Sequence, residues 1–161
     1  MTQLSATANQ YLGRTVDLLL YDNMQVAGDV LVTPALVQPG QSGAEITGIL
    51  KLVQRFLLEL FTEIGSMTYL PLRGCGFMAE ARQGTWRTAA DVELSFYTSL
   101  LSIKRNLIQE EAETDPADER FGDASLISVS VSLDRVTITL SISSLAGTQR
   151  TVLFPLRVNK L

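Results

Sequence analysis

Histidine is absent from this 161-residue chain, and cysteine occurs once, at Cys75. Without an imidazole, and with a single thiol, ordinary zinc sites, Ser-His-Asp triads and Cys-His dyads cannot be assembled. An internal disulfide is excluded as well. The net charge is −4, and Arg82, Arg87, Lys104 and Arg105 are too sparse to form the basic stripe that phosphate neutralisation needs, so no nucleic-acid partner is expected. No apolar run approaches the ~20 residues of a membrane-crossing helix. The opening MTQLSATANQYLGR has neither the basic start nor the apolar core of a signal peptide. A soluble protein made and kept in a reducing cytoplasm is expected, with no membrane partner, metal or cofactor.

The chain does have alternation. From Leu126 to Ser143, Ile127, Val129, Val131 and Leu133 point one way while Ser128, Ser130 and Ser132 point the other, and Val136, Ile138, Leu140 and Ile142 repeat the pattern against Thr137, Thr139, Ser141 and Ser143. This predicts a β-hairpin with one buried face. The other face carries small hydroxyls where exposed strands usually carry Lys or Glu, and neither strand holds a proline or an internal charge to discourage pairing with another chain. That face is a candidate docking surface, taken together with Val152 and Phe154 of a third strand predicted over Arg150 to Leu156.

With 46% hydrophobic residues, the chain is rich enough to bury a core of its own. Residues 1 to about 14 read as a polar arm. Thr15 to Tyr21 alternates, Asp22-Asn23 offers a turn, and Val26 to Thr33 is a second apolar run, which predicts short strands or a small hairpin. Pro34, Pro39, Gly40, Ser42 and Gly43 punctuate a loop that divides an N-terminal piece, 1–44, from a main domain, 45–161. Apolar residues at steps of three and four predict a helix from Glu45 to Ile64, stopped by Gly65. Its stripe of Ile46, Leu50, Val53, Leu57, Leu60 and Ile64, widened by Ile49, Phe56 and Phe61, is broad enough to pack partly inside its own domain and partly against a partner's helix, or to lie wholly in its own core. Ser66 to Gly84 reads as a loop. A second helix is predicted to start with Thr88 as N-cap and Asp91 completing a capping box, with Val92, Phe96, Leu100, Ile103 and Leu107 on its apolar face and Tyr97, Leu101 and Ile108 beside it. The expected fold is α+β: two amphipathic helices packed on a small, mainly antiparallel three-stranded sheet, with an N-terminal extension of short strands.

Glu59 and Glu63 lie four apart on the first predicted helix, where paired carboxylates could serve as general acid and base in glycoside cleavage. A solvated helix face explains them more simply. The run Glu110, Glu111, Glu113, Asp115, Asp118, Glu119 and Asp123 lacks the glycine-centred spacing of a calcium loop and reads as a solvated linker. Gly74-Cys75-Gly76 follows no strand and has no Lys-Ser/Thr after it, so it reads as a turn around a small buried cysteine rather than a phosphate loop. No catalytic residue is assigned.

The order of these elements resembles a known family. Leu52-Val53-Gln54-Arg55 through Leu60-Phe61-Thr62-Glu63-Ile64-Gly65-Ser66, then Tyr69, Pro71 and Gly74, a second long helix, a charged segment and an alternating hairpin are similar to the baseplate wedge and sheath-initiator proteins of contractile phage tails, often named lysozyme-like. The resemblance covers about 45–156. The family's Glu-Pro-Arg triplet has its nearest counterpart in Glu119-Arg120, which lacks the proline. The resemblance implies a non-enzymatic virion component in the tail baseplate, assembled in the host cytoplasm in several symmetric copies. Its sheet would accept strands from the tail sheath protein, while its helices face other wedge proteins and hub or tube proteins. The alternatives are a peptidoglycan-cleaving enzyme, as the family name suggests, and a non-viral cytosolic adaptor.

Overall fold

The computed structural model describes residues 14–18, 21–26, 29–34, 45–132 and 135–157. The expected arm at 1–13, the punctuated loop at 35–44 and Leu133 lie outside the described residues. The class is α+β. Three strands, β5 (Phe121–Val131), β6 (Arg135–Ser144) and β7 (Gln149–Arg157), form an antiparallel meander with β6 in the middle, and three helices precede it: α1 (Ile49–Phe61), α2 (Phe77–Arg82) and α3 (Ala89–Glu110). Ahead of these lie β1 (Asp17–Leu18), β2 (Tyr21–Val26), β3 (Asp29–Pro34) and β4 (Glu45–Ile46).

Of the three helices α3 alone starts at a side-chain cap, whereas α1 and α2 start at Gly48 and Gly76 without one. Thr88 and Asp91 make the expected capping box: Thr88 Oγ1 accepts from the Asp91 N–H at 3.3 Å, and Asp91 Oδ2 accepts from the Thr88 N–H at 2.8 Å. Hydrogen bonds from the backbone N–H groups of Thr88 and Arg87 hold the Asp91 carboxyl below the usual carboxylate range. Thr88→Ala should cost about 1 kcal/mol, measurable as a lower urea midpoint at unchanged slope. Val92, Phe96, Ile103 and Leu107 are buried, and Leu100 is partly so.

The first helix is shorter than its stripe suggests. Glu45–Ile46 is drawn into strand pairing with Asp17–Leu18, so α1 starts only after Gly48. It also ends before Ile64, because Thr62 turns extended and Glu63 bridges to Cys75. Gly65 adopts a left-handed backbone, φ 82°, but in the turn beyond the helix rather than as its stop. Within the expected loop 66–84, Phe77–Arg82 forms a short helix, which buries Phe77 against Trp86 and Phe96 at ring-centroid distances of 4.6 and 6.5 Å.

The core lies between the sheet and the helices. Val136, Ile138, Leu140 and Ile142 of β6 face inward with Val152 and Phe154 of β7. Phe56 stacks on Phe121 at 5.9 Å, and Phe61 meets Phe154 edge-on at 5.2 Å. In the N-terminal piece Asp22 and Asn23 lie inside β2 rather than in a turn. β2 and β3 form an antiparallel hairpin, and β3 joins β7 in parallel at Leu31↔Leu153, so the sheet order is β2-β3-β7-β6-β5.

Candidate docking site

Register decides which side chains reach the outer face of the sheet. β6 pairs with β5 through Ser128↔Thr139 and Ser130↔Thr137, and with β7 through Thr139↔Leu153 and Ser141↔Thr151. Strand side chains alternate between the two faces. The hydroxyls of Ser128, Ser130, Thr137, Thr139 and Ser141 therefore share the surface opposite the core. Ser143 extends the row, its Oγ donating to the Asp123 carbonyl at 3.2 Å, and Ser132 lies just past β5, where its N–H and Oγ both reach the Arg135 carbonyl at 2.8 and 2.9 Å. No charge falls within Ala124–Val131, Val136–Ser144 or Thr151–Leu156.

Two expectations about this surface are corrected. Val152 and Phe154 pair with Leu140 and Ile138, and this puts them in the core. Leu153, the residue between them, is the one on the outer face. Ile127 was expected to point inward; a register shift between Leu126 and Ser128 turns it out to solvent and gives Leu126 and Ala124 the inward positions.

No protein-family model, curated protein or solved structure matches the chain.

The helix residues expected to meet a partner are largely used at home. Val53, Phe56, Leu57 and Leu60 are buried within the core, Ile46 is buried at β4, Ile49 and Phe61 pack partly buried against the core, and Leu50 is half-buried. The apolar stripe that stays uncovered is on α3. Leu94, Tyr97, Leu101 and Ile108 are 71, 48, 73 and 49% exposed on the side away from the core. The sequence carries this signal in the 3-4 spacing of those residues, which the stronger core-facing stripe of the same helix overshadows.

The carboxylates have structural partners. Glu59 is buried: its Oε2 accepts from the Gly74 N–H at 2.9 Å and from Asn106 Nδ2 at 2.8 Å, and Oε1 pairs with Arg73, which also pairs with Glu110. Glu63 instead pairs with Arg82. The two acids once grouped on one helix face thus serve different contacts, Glu59 tying the 62–76 loop and α3 to α1. The acidic segment is not simply solvated either. Glu119 is buried, with Oε1 accepting from Thr47 Oγ1 at 2.6 Å and the Gly48 N–H at 3.3 Å, and Oε2 from Lys51 Nζ and Thr15 Oγ1, both at 3.1 Å. Arg14 pairs with the adjacent Asp118 at 2.6 Å, and Glu111 accepts from the Phe121 N–H at 2.8 Å. Burial pushes the Glu119 carboxyl up, but hydrogen bonds from Thr47, Lys51 and Gly48 and the charge of Lys51 outweigh it, and the group titrates below the usual carboxylate range. Burial pushes the Cys75 thiol up, which keeps it a packing residue rather than a nucleophile. Among the described residues no group of His, Cys, Asp or Glu is placed to hold a metal ion, and no helix is long and apolar enough to cross a membrane.

Proposed function

We propose that this protein is a structural assembly subunit that takes up an extended strand from a partner at its sheet, in the manner of the sheath-initiating wedge proteins of contractile phage tail baseplates that its sequence resembles. In this reading it is not an enzyme. Its partners are the tail sheath protein, other wedge proteins and the neighbouring hub or tube, and several copies sit in the virion baseplate after assembly in the host cytoplasm. The observation that carries the reading is a hydroxyl-lined outer face whose central stretch, Ser125–Val131 of β5 and Val136–Ser143 of β6, carries no charge, with Asp123, Arg135 and Arg157 only toward the strand ends. Strand addition draws affinity from main-chain hydrogen bonds and specificity from alternate side chains, and charges on the receiving strand oppose it. A further support is that the β7 side of the sheet already holds an added element, the β2–β3 hairpin.

The test places charge on the margin strand β5. Ser128 and Ser130 are exposed there, so Ser128→Lys with Ser130→Lys should leave the thermal midpoint within about 2 °C of the parent. Sheath assembled on baseplates carrying the double variant should fall at least ~tenfold. Sheath of normal yield and length would reject strand addition at β5, and clearing of peptidoglycan by the purified protein, lost in Glu59→Gln, would replace the structural reading with an enzymatic one. Proline at Thr139 or Ser141 is a poorer probe, because β6 is paired on both sides and the fold itself would fail.

A further inference from the structure

The outer face of α3 goes beyond the strand-addition reading and stands without it. Leu94, Tyr97, Leu101, Lys104 and Ile108 follow one another at steps of three, four, three and four, the spacing of a coiled-coil seam. The buried residues Val92, Phe96, Ile103 and Leu107 already satisfy the domain core from the opposite side of the same helix. A narrow 3-4 seam selects another helix as its complement, since knobs-into-holes packing repeats with that period whereas an irregular loop does not.

Charge selects the kind of helix. Lys104 stands at a seam position and Arg105 beside it; both are exposed, and neither has an ion-pair partner among the described residues. A single cation in an apolar seam fixes register and requires an opposite charge across from it. Beside Leu94 the surface opens into a hollow of about 260 Å³, lined by Glu80, Trp86, Asp91, Ser95 and Thr98 among others, so that the side chain it takes is a neutral one. Trp86 Nε1 and Ser95 Oγ are buried in its lining with no hydrogen-bond partner among the described residues, so the hollow suits a side chain bringing both an acceptor and a donor.

We propose that the outer face of α3 is a docking seam for an amphipathic helix of a partner protein, carrying acidic residues opposite Lys104 and Arg105 and seating one polar side chain in the hollow beside Leu94. A polybasic membrane contact fits less well, because the two cations share their helix with Asp91, Glu93 and Glu110.

The probe is a synthetic 21-residue helical peptide with Leu at both seam positions of each heptad and Glu flanking them, compared with a sister peptide flanked by Lys. Both are titrated by fluorescence anisotropy against the full chain. The Glu peptide should bind at least ~tenfold more tightly than the Lys peptide. Leu101→Ser, at a site too exposed to affect folding, should weaken it by a similar factor, and Lys104→Glu with Arg105→Glu should reverse the preference. Binding should also shift the fluorescence of Trp86, the chain's single tryptophan. Equal binding of the two peptides, binding of neither, or capture by anionic phosphatidylserine vesicles in place of the peptide would overturn the proposal. So would a dimer in sedimentation that Leu101→Ser dissociates, which would make a second copy the occupant. None of these results bears on sheath assembly by the Ser128→Lys and Ser130→Lys variant, so the two readings fail separately.

Discussion

Glu119→Ala should lower the free energy of unfolding by about 3–5 kcal/mol at neutral pH. The carboxylate ties three segments of chain together. It accepts from Thr15 in the N-terminal segment, from Thr47 and the Gly48 N–H at the start of α1, and from Lys51 one turn further on, while it is itself carried by the loop that leads into β5. Removing it leaves the Gly48 N–H without its acceptor and the largely buried Lys51 ammonium with only the Thr15 hydroxyl in place of a carboxylate. Breaking such a pair costs more than the pair contributes net, because the abandoned charge stays desolvated. Urea denaturation checks the magnitude, and its pH dependence checks the cause. The folded-state carboxyl titrates below its unfolded value of roughly 4.3. Its contribution is therefore complete above that pH and drains away as pH falls through the lowered folded value. The stability gap between the parent and Glu119→Gln should accordingly shrink below about pH 4. A gap of equal size at pH 3 and pH 7 would show that packing, not the carboxylate charge, is responsible.

The second large effect is expected at Gly74. Its φ is 84°, and a Cβ built there would stand 2.2 Å from the Thr62 carbonyl oxygen and 2.7 Å from the carbonyl carbon. The neighbour is backbone, fixed by the Cys75 N–H donating to the same Thr62 oxygen at 2.9 Å, and the Gly74 N–H is itself the donor to Glu59. Relief of the clash would therefore open the loop closure and unseat a buried carboxylate. Gly74→Ala should cost about 3 kcal/mol or more. Gly65, at φ 82° with nothing within 4 Å, is the control: Gly65→Ala meets only the left-handed backbone penalty of about 1 kcal/mol. Similar losses for the two variants, measured by thermal or urea unfolding, would rule out the steric account.

Features set by a few neighbouring residues were legible in the sequence. The Thr88–Asp91 cap, the stripe of α3 and the alternation of β6 depend on contacts within one turn or one strand, and each stands as expected. Where the sequence misleads, a distant segment intervenes. Glu45 and Ile46 carry a helical pattern but are taken by residues 17 and 18 into strand pairing. The run from Thr151 to Leu156 is apolar on both faces, so only the register against β6 could tell that Val152 and Phe154 go in while Leu153 comes out. Alternation alone could not reveal the irregularity that turns Ile127 outward. Glu119 looked like one acid in a solvated run because its partners Thr15, Thr47 and Lys51 lie far back in the chain. For the candidate site the division is the same: the row of hydroxyls follows from local periodicity, while the free face of α3 emerges only once the other helices are seen to be spent on the core.

The parallel meeting of β3 with β7 sets an order of events during synthesis. Leu31 and Leu153 are made roughly 120 residues apart, and closing so long a stretch is entropically slow compared with forming a hairpin between neighbours. A chain emerging from the ribosome has no β7 for β3 to join until the three helices and the rest of the meander have been made. The meander and the β2–β3 hairpin can each close their own pairings as soon as they are complete, and the join between β3 and β7 is among the last to form.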